Sequence, residues 1–204
     1  MLTREFLNKL RGKINYTLPS GHLSPSENLL NFSNRINVWK GTRHENLAQA
    51  KTFLRENNLQ KLEDFEKIIV LIRNPYDYIV SRFHYLSKNQ QYNLGPAARI
   101  AAEGDFEKYA LKAPRFFRTE GYLLDEHGRI PENLHIIRYE DFSTTLNISI
   151  KKYLKEEIDF GDKVNFSKRK HYSDYYISNP EIEPAVYKKF KFLFDKGYYS
   201  RIVI

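Results

Sequence analysis

The stretch "KIIVLIRNPYDYIVSRFHYLSKN", Lys67–Asn89, constrains the fold more than any other part of the chain. Ile68–Ile72 is a run of aliphatic, mostly β-branched residues, which is typical of a strand covered on both faces in a parallel sheet. Asn74 is a favourable N-cap and Pro75 is tolerated at a first helical position, so a helix is predicted to begin there. Arg73 therefore lies where a strand passes into a helix, a place that attracts anionic ligands in open α/β sheets.

The rest of the chain continues this alternation of strands and helices. "RINVW" (Arg35–Trp39) is β-like and precedes a helical pattern, and "GDFEKYALKA" around Phe106 is a short predicted helix. A second strand is predicted at His135–Tyr139, and helices are predicted for residues 2–11 and for the C-terminal "AVYKKFKFLFDK". The pattern predicts an α/β fold with a parallel sheet flanked by helices, in one domain spanning residues 1–204.

The composition limits the class of protein. Hydrophobic residues make up 41% of the 204 residues and aromatic residues 15%, which supplies a core. No apolar run approaches the ~20 residues that a membrane helix needs. The N-terminus "MLTREFLNKLRGK" alternates charged and apolar residues, unlike a secretory signal. There is no Cys, hence neither a disulfide framework nor a thiolate metal site. We therefore expect a cytoplasmic protein without a membrane span.

The charge balance points to an anionic partner. Lys and Arg total 33 against 25 Asp and Glu, which gives a net charge of +8. Nucleic acid, a membrane surface and a phosphorylated or sulfated small molecule all fit such a charge. "FSKRKHYSDYY" (Phe166–Tyr176) is the one stretch that resembles the mixed basic and aromatic pattern of nucleic-acid binders. One such tract does not favour a nucleic-acid partner, and the sequence leaves the oligomeric state open.

"RNPYDYIVSRFHY" carries the specific functional signal. It places Arg73 and Ser81 eight positions apart, so that on a strand-turn-helix a guanidinium and a hydroxyl can converge on one anion. The alternative is a helix-capping Arg and a surface Ser. The motif closely resembles the 3′-phosphate-binding signature of sulfotransferases. In that family the matching Arg and Ser hold the 3′-phosphate of 3′-phosphoadenosine 5′-phosphosulfate (PAPS), so the resemblance implies donor binding by Arg73 and Ser81.

Two later segments resemble the same family in the same order. "GYLLDEHGRIPENLHIIRYEDF" (Gly121–Phe142) is similar to a stretch with a Gly turn before a strand, and Val164–Tyr199 is similar to the C-terminal block of carbohydrate-type members. The resemblance covers about residues 36–199. It implies a P-loop NTPase-like α/β fold and a transferase that moves a sulfuryl group from PAPS to a hydroxyl of a carbohydrate or other small acceptor, without a required metal.

The resemblance also suggests the remaining site residues. A general base is expected before the helix that precedes the Arg73 strand, and "VWKGTRHENL" places His44 there. A neutral His can take the acceptor proton at physiological pH, although His44 could instead cap the helix that follows. Lys168 and Arg169 of "SKRK" are implied to cover the donor phosphates, whereas a solvated basic face is the alternative.

The N-terminal part departs from the family pattern. Sulfotransferases open with a strand and a phosphate loop that cradles the 5′-phosphosulfate. The nearest text, "TLPSGHLS" (Thr17–Ser24), lacks the usual Lys, and residues 2–11 resemble the helix that follows the loop. We therefore expect an N-terminally incomplete domain. Its donor site would keep the residues for the 3′-phosphate but lack the loop for the 5′-phosphosulfate, and this chain would then be inactive. The alternatives from other classes are a non-catalytic module that binds an adenosine phosphate and a nucleic-acid-binding module.

Overall fold

The computed structural model describes residues 29–32, 36–39, 46–56, 61–65, 67–88, 95–112, 120–142, 144–146, 148 and 169–203. In chain order the elements are β1 (Leu29–Phe32), β2 (Ile36–Trp39), α1 (Leu47–Glu56), β3 (Ile68–Ile72), α2 (Pro75–Lys88), α3 (Pro96–Ala102), α4 (Phe106–Lys112), α5 (Glu120–Leu123), β4 (Leu134–Arg138), α6 (Tyr172–Ile177), α7 (Ile182–Lys189) and α8 (Lys191–Asp195). The predicted helix at 2–11, the segment Thr17–Ser24, His44 and Lys168 lie outside the described residues.

The described residues fall into two compact units. One takes its described residues from Met1–Ile72 and Gly121–Asp162, and the other from Arg73–Glu120 and Lys163–Ile204. The chain therefore passes from the first unit to the second between β3 and the residue Arg73. A single domain over residues 1–204 stays a prediction. Within the described ranges, every helix is too short or too polar to cross a membrane.

The first unit contains a parallel strand pair. β3 and β4 run in register from Ile68 opposite Leu134 to Ile72 opposite Arg138. Parallel strands need a crossover connection, and the chain between these two includes α2 to α5. The predicted α/β class is thus confirmed. Ile72 is buried as expected, but the rest of β3 is half-buried, because β4 is its one strand partner among the described residues.

β1 and β2 form an antiparallel hairpin, with Leu29 opposite Trp39 and Phe32 opposite Ile36. The β-like run before Trp39 was predicted, whereas β1 was missed because its four residues are too few to establish a period of two. After the hairpin, Asn46 and Gln49 form a reciprocal capping box. Gln49 N donates to Asn46 Oδ1 at 2.8 Å, and Asn46 N donates to Gln49 Oε1 at 3.0 Å. These bonds satisfy backbone donors at the start of α1.

Aromatic side chains fill the core of the second unit. Tyr76 and Phe83 lie on the buried face of α2. The Tyr76 ring packs edge-on against Tyr176 with centroids 5.0 Å apart, and Phe83 packs against Phe106 at 5.5 Å. Such pairs contribute about 0.5–1.5 kcal/mol beyond the burial of their area. The helix that carries the Arg73 motif is therefore held by contacts with α4 and α6.

The C-terminal helical pattern forms two helices instead of the one predicted. Phe190 separates α7 from α8, and its backbone has φ −117° and ψ 21°. These angles depart from the helical values near −63° and −42°. The apolar spacing continues through the break, so the sequence pattern did not reveal it.

Glu183 is a buried carboxylate in the second unit, 4% exposed. The Tyr76 hydroxyl donates to Glu183 Oε1 at 2.5 Å. Arg201 donates through Nη2 to Oε2 at 2.6 Å and through Nε to Oε1 at 3.0 Å. Arg201 is the main cause of the lowered pKa of Glu183, while burial acts in the opposite direction. These three side chains, here called the Glu183 clamp, join the C-terminal segment to α7 and to the first turn of α2.

Candidate functional site

The turn from β3 into α2 forms as the sequence predicts. Asn74 Oδ1 accepts hydrogen bonds from Tyr76 N at 3.0 Å and from Asp77 N at 3.4 Å. The Asn74 carbonyl accepts from Tyr78 N at 2.8 Å, the first bond of the helical ladder. Asn74 is thus an N-cap and its side chain satisfies amides that have no partner within the helix. This cap fixes the position of Arg73, the residue that precedes it.

One carboxylate joins two of the predicted donor-binding residues. Arg73 donates to Asp77 Oδ2 through Nε at 2.6 Å and through Nη2 at 2.5 Å. Arg169 Nη2 donates to Asp77 Oδ1, also at 2.5 Å. The side chains of Arg73, Asp77 and Arg169 are 27%, 18% and 14% exposed, so solvent screens their charges only in part. We call these three side chains the arginine–aspartate cluster. Asp77 had no predicted role.

Arg169 retains unused hydrogen-bonding capacity. Its Nη1 atom is buried and has no hydrogen-bond partner among the described residues. Leaving a buried charged donor unpaired costs free energy, and a guanidinium has five N–H donors that match the oxygens of a phosphate. Together with the Arg73 guanidinium, Arg169 forms a donor set whose charge and type fit a phosphate group.

Ser81 is on the same face of α2 as Asp77. The two residues are one helical turn apart, which corresponds to about 6 Å along the helix axis. His84 follows on this face, and its Nε2 lies 2.6 Å from the Tyr175 hydroxyl. Asp77 and His84 thus both contact the segment 169–177, from positions on either side of Ser81. Ser81 itself is half-buried.

His84 is close enough to Arg169 of the same cluster to be affected by its positive charge. Its pKa is lowered by burial first, and then by the positive charges of Arg169 and Lys88. Burial also raises the pKa of Tyr175, while Arg169 acts to lower it. His84 and Tyr175 therefore form a neutral imidazole–phenol pair at neutral pH. His84 was not among the predicted site residues, although its spacing of three positions from Ser81 places it on the same helix face.

Two predicted site residues have no described position, and the roles of Arg73, Ser81 and Arg169 also stay predictions. His44 and Lys168 lie outside the described residues, so the general base and the second basic contact stay predictions. Across the portions of the chain that are described, no three His, Asp or Glu side chains are grouped in a way that could hold a metal ion.

Comparison with known proteins connects this geometry to one family. The family model for the sulfotransferase domain matches residues 42–155, more than half of the chain. Arg169 lies beyond the matched range. Searches of the curated proteins and of the solved structures found no match. Because the family match covers more than half of the chain and contains β3, the Arg73 motif, α2 and β4, the chain belongs to the sulfotransferase domain family and has its α/β fold.

Proposed function

We propose that this chain transfers the sulfuryl group of PAPS to a hydroxyl of a carbohydrate or other small acceptor. Membership of the family accounts for sulfuryl transfer in general. The proposal for the donor is supported by one observation above all: Arg73 and Arg169, distant in sequence, converge on Asp77 at the start of α2.

In this proposal Arg73, Arg169 and Ser81 bind the 3′-phosphate of the donor. The two guanidinium groups supply charge-assisted hydrogen bonds, which are roughly twice as strong as neutral ones. The Ser81 hydroxyl supplies a neutral donor on the same helix face. The start of α2 adds the favourable dipole of a helix N-terminus. Lys168, in the basic stretch "SKRK", is proposed to contact the donor phosphates as well.

The acceptor needs a base, and we propose His44 for that role. A neutral imidazole that accepts the proton of the acceptor hydroxyl increases the nucleophilicity of its oxygen. PAPS supplies the activated sulfuryl group, and its departing phosphate carries negative charge that cationic side chains stabilise. No metal is needed in this scheme. His44 is proposed from its place in the sequence motif.

A transfer assay with labelled PAPS tests the proposal. The full chain is incubated with labelled PAPS and a panel of oligosaccharides, simple sugars and small alcohols or phenols. The proposal predicts label in at least one hydroxyl acceptor, with inhibition by adenosine 3′,5′-bisphosphate. Such transfer would overturn the expectation, drawn from the sequence, that the departure from the family pattern at Thr17–Ser24 abolishes activity. Tight binding of the bisphosphate without transfer to any acceptor would instead support the non-catalytic nucleotide-binding module.

Salt dependence separates the proposal from nucleic-acid binding. A nucleic-acid complex weakens steeply with salt because it releases many counterions. Binding of adenosine 3′,5′-bisphosphate to one site is expected to depend on salt more weakly. Absence of nucleotide binding combined with steeply salt-dependent binding of an oligonucleotide would overturn the proposal.

A further inference from the structure

We propose that Asp77 is a positioning residue of the donor site, which holds Arg73 and Arg169 at the spacing needed to bind one phosphate. The inference rests on the proposed function, because it concerns the same phosphate. Asp77 acts through the two guanidinium groups and does not itself contact the donor.

The first support is the division of the carboxylate between the two arginines. Oδ2 accepts from Arg73 and Oδ1 accepts from Arg169. Two guanidinium groups this close would repel each other, and their partial burial limits screening by solvent. A carboxylate between them offsets the repulsion and fixes the distance between the two groups.

The second support is that hydrogen bonds hold the first turn of α2, which carries Asp77, in place. It lies in the first turn of α2, where its amide is bonded to the Asn74 cap and a negative charge is favoured by the helix dipole. The segment 169–177, which carries Arg169, is held against α2 and its cap independently of Asp77. Asn74 Nδ2 donates to the Tyr172 hydroxyl at 3.4 Å, and His84 contacts Tyr175. Asp77 therefore needs only to orient the Arg169 side chain.

The third support is the way in which Arg169 is held. Arg–carboxylate pairs frequently use two parallel N–H bonds between the guanidinium and the carboxylate. Asp77 instead accepts one hydrogen bond from Arg169, through Nη2. The Nη1 atom of Arg169 is buried without a hydrogen-bond partner in the described part of the chain. The contact thus orients the guanidinium through one terminal nitrogen and leaves the other terminal nitrogen without a bond to Asp77.

Calorimetry of Asp77→Asn tests the inference with two nucleotides, adenosine 3′,5′-bisphosphate and adenosine 5′-monophosphate. Asp77→Asn adds one unit of positive charge, so electrostatic attraction alone would tighten binding of the bisphosphate. Loss of positioning predicts the opposite sign. We expect affinity for the bisphosphate to fall about tenfold and affinity for the monophosphate, which lacks the 3′-phosphate, to stay unchanged.

Asp195→Asn is the matched control. Asp195 is also in the second unit and pairs with Lys191, so its replacement gives the same change in net charge away from the cluster. We expect wild-type affinity for both nucleotides. In an Arg169→Gln background, Asp77→Asn should weaken bisphosphate binding by a smaller factor than in the wild type, because one group that it positions is gone.

The outcomes distinguish this inference from the proposed function. If the wild type binds both nucleotides equally, the proposed 3′-phosphate site fails and the inference fails with it. If the wild type prefers the bisphosphate and Asp77→Asn binds it equally well or more tightly, the inference alone is overturned. Should circular dichroism show Asp77→Asn unfolded, Asp77→Glu retains the charge but displaces the carboxylate. Reduced bisphosphate affinity would then support positioning, and wild-type affinity would overturn it.

Discussion

The Tyr76 hydroxyl donates a hydrogen bond of 2.5 Å to the Glu183 carboxylate, although 107 positions separate the two residues. Tyr76 is in the first turn of α2, directly before Asp77, and both partners are buried. Arg201 Nη2 donates to Oε2, the other oxygen of the same carboxylate. The C-terminal segment therefore contributes to the stability of the helix that carries the candidate site.

Arg201→Ala should lower the free energy of unfolding by about 1–3 kcal/mol, because it leaves a buried carboxylate with fewer partners. The half-exposed position of Arg201 keeps the loss below that of a fully buried ion pair. Urea unfolding at neutral pH measures it. Lys191→Ala, which breaks the exposed pair with Asp195, is the control and should lower the free energy of unfolding less than Arg201→Ala. Equal losses in the two variants would contradict this role of the Glu183 clamp.

The lowered pKa of His84 predicts a pH dependence of stability. Below the unfolded-state pKa of about 6.5, the unfolded chain takes up a proton that folded His84 resists. The unfolded state then binds more protons, so stability falls as pH falls from about 6.5 toward the folded pKa. His84→Gln should reduce this loss, measured by urea unfolding at about pH 7.5 and pH 5.5.

His135 provides a comparison for that experiment. Burial and then Lys67 lower the pKa of His135, so its contribution has the same sign. The double variant His84→Gln/His135→Gln should show a weaker pH dependence than either single variant. An unchanged pH dependence in all three would show that these residues do not control acid stability.

Arg73→Ala should weaken binding of adenosine 3′,5′-bisphosphate by about 1.5–3 kcal/mol, because it removes charge-assisted bonds to the 3′-phosphate. This is roughly a 10- to 150-fold loss of affinity by calorimetry. Arg129→Ala is the matched control, since Arg129 also forms an i,i+4 pair, with Asp125, but is 73% exposed in the first unit. Equal affinity of Arg73→Ala and the wild type would refute the assignment.

Ser81→Ala should have a smaller effect than Arg73→Ala, because a neutral hydroxyl is lost. We expect a decrease of about 0.5–1.5 kcal/mol in affinity for the same bisphosphate and no change for adenosine 5′-monophosphate. Ser87→Ala is the control on the same helix, where the Ser87 hydroxyl donates to the His84 carbonyl. A loss of monophosphate affinity in Ser81→Ala would indicate a general disturbance of the helix instead of a 3′-phosphate contact.

His44→Ala should lower turnover about 10²- to 10⁴-fold, the usual contribution of general base catalysis. Affinity for adenosine 3′,5′-bisphosphate should stay unchanged, since the proton transfer stabilises only the transition state. His127→Ala replaces an exposed His and is the control. Unaltered turnover in His44→Ala, in a chain with measurable activity, would remove His44 from the mechanism.

Local sequence signals were sufficient for the strand, the cap and the helix around Arg73, because each depends on residues within a few positions. The hydrogen-bond partners of Asp77 and Glu183 could not be predicted from such local signals. Arg169 is 92 positions from Asp77, and Tyr76 is 107 positions from Glu183. A helical pattern shows that Asp77 lies in the first turn, but it does not show which distant segment packs against that turn.

Asp77 also sets the charge of the candidate site. Two guanidinium groups share one carboxylate, so the arginine–aspartate cluster carries a single net positive charge. The attraction of such a cluster grows with the charge of its ligand. A terminal phosphate, which is a dianion at neutral pH, gains more from it than a phosphate that bridges two sugars and carries one negative charge. The net positive charge of the cluster thereby favours a free nucleotide with an unesterified 3′-phosphate over the backbone of a polynucleotide, and the shared carboxylate keeps this preference smaller than two unpaired guanidinium groups would make it.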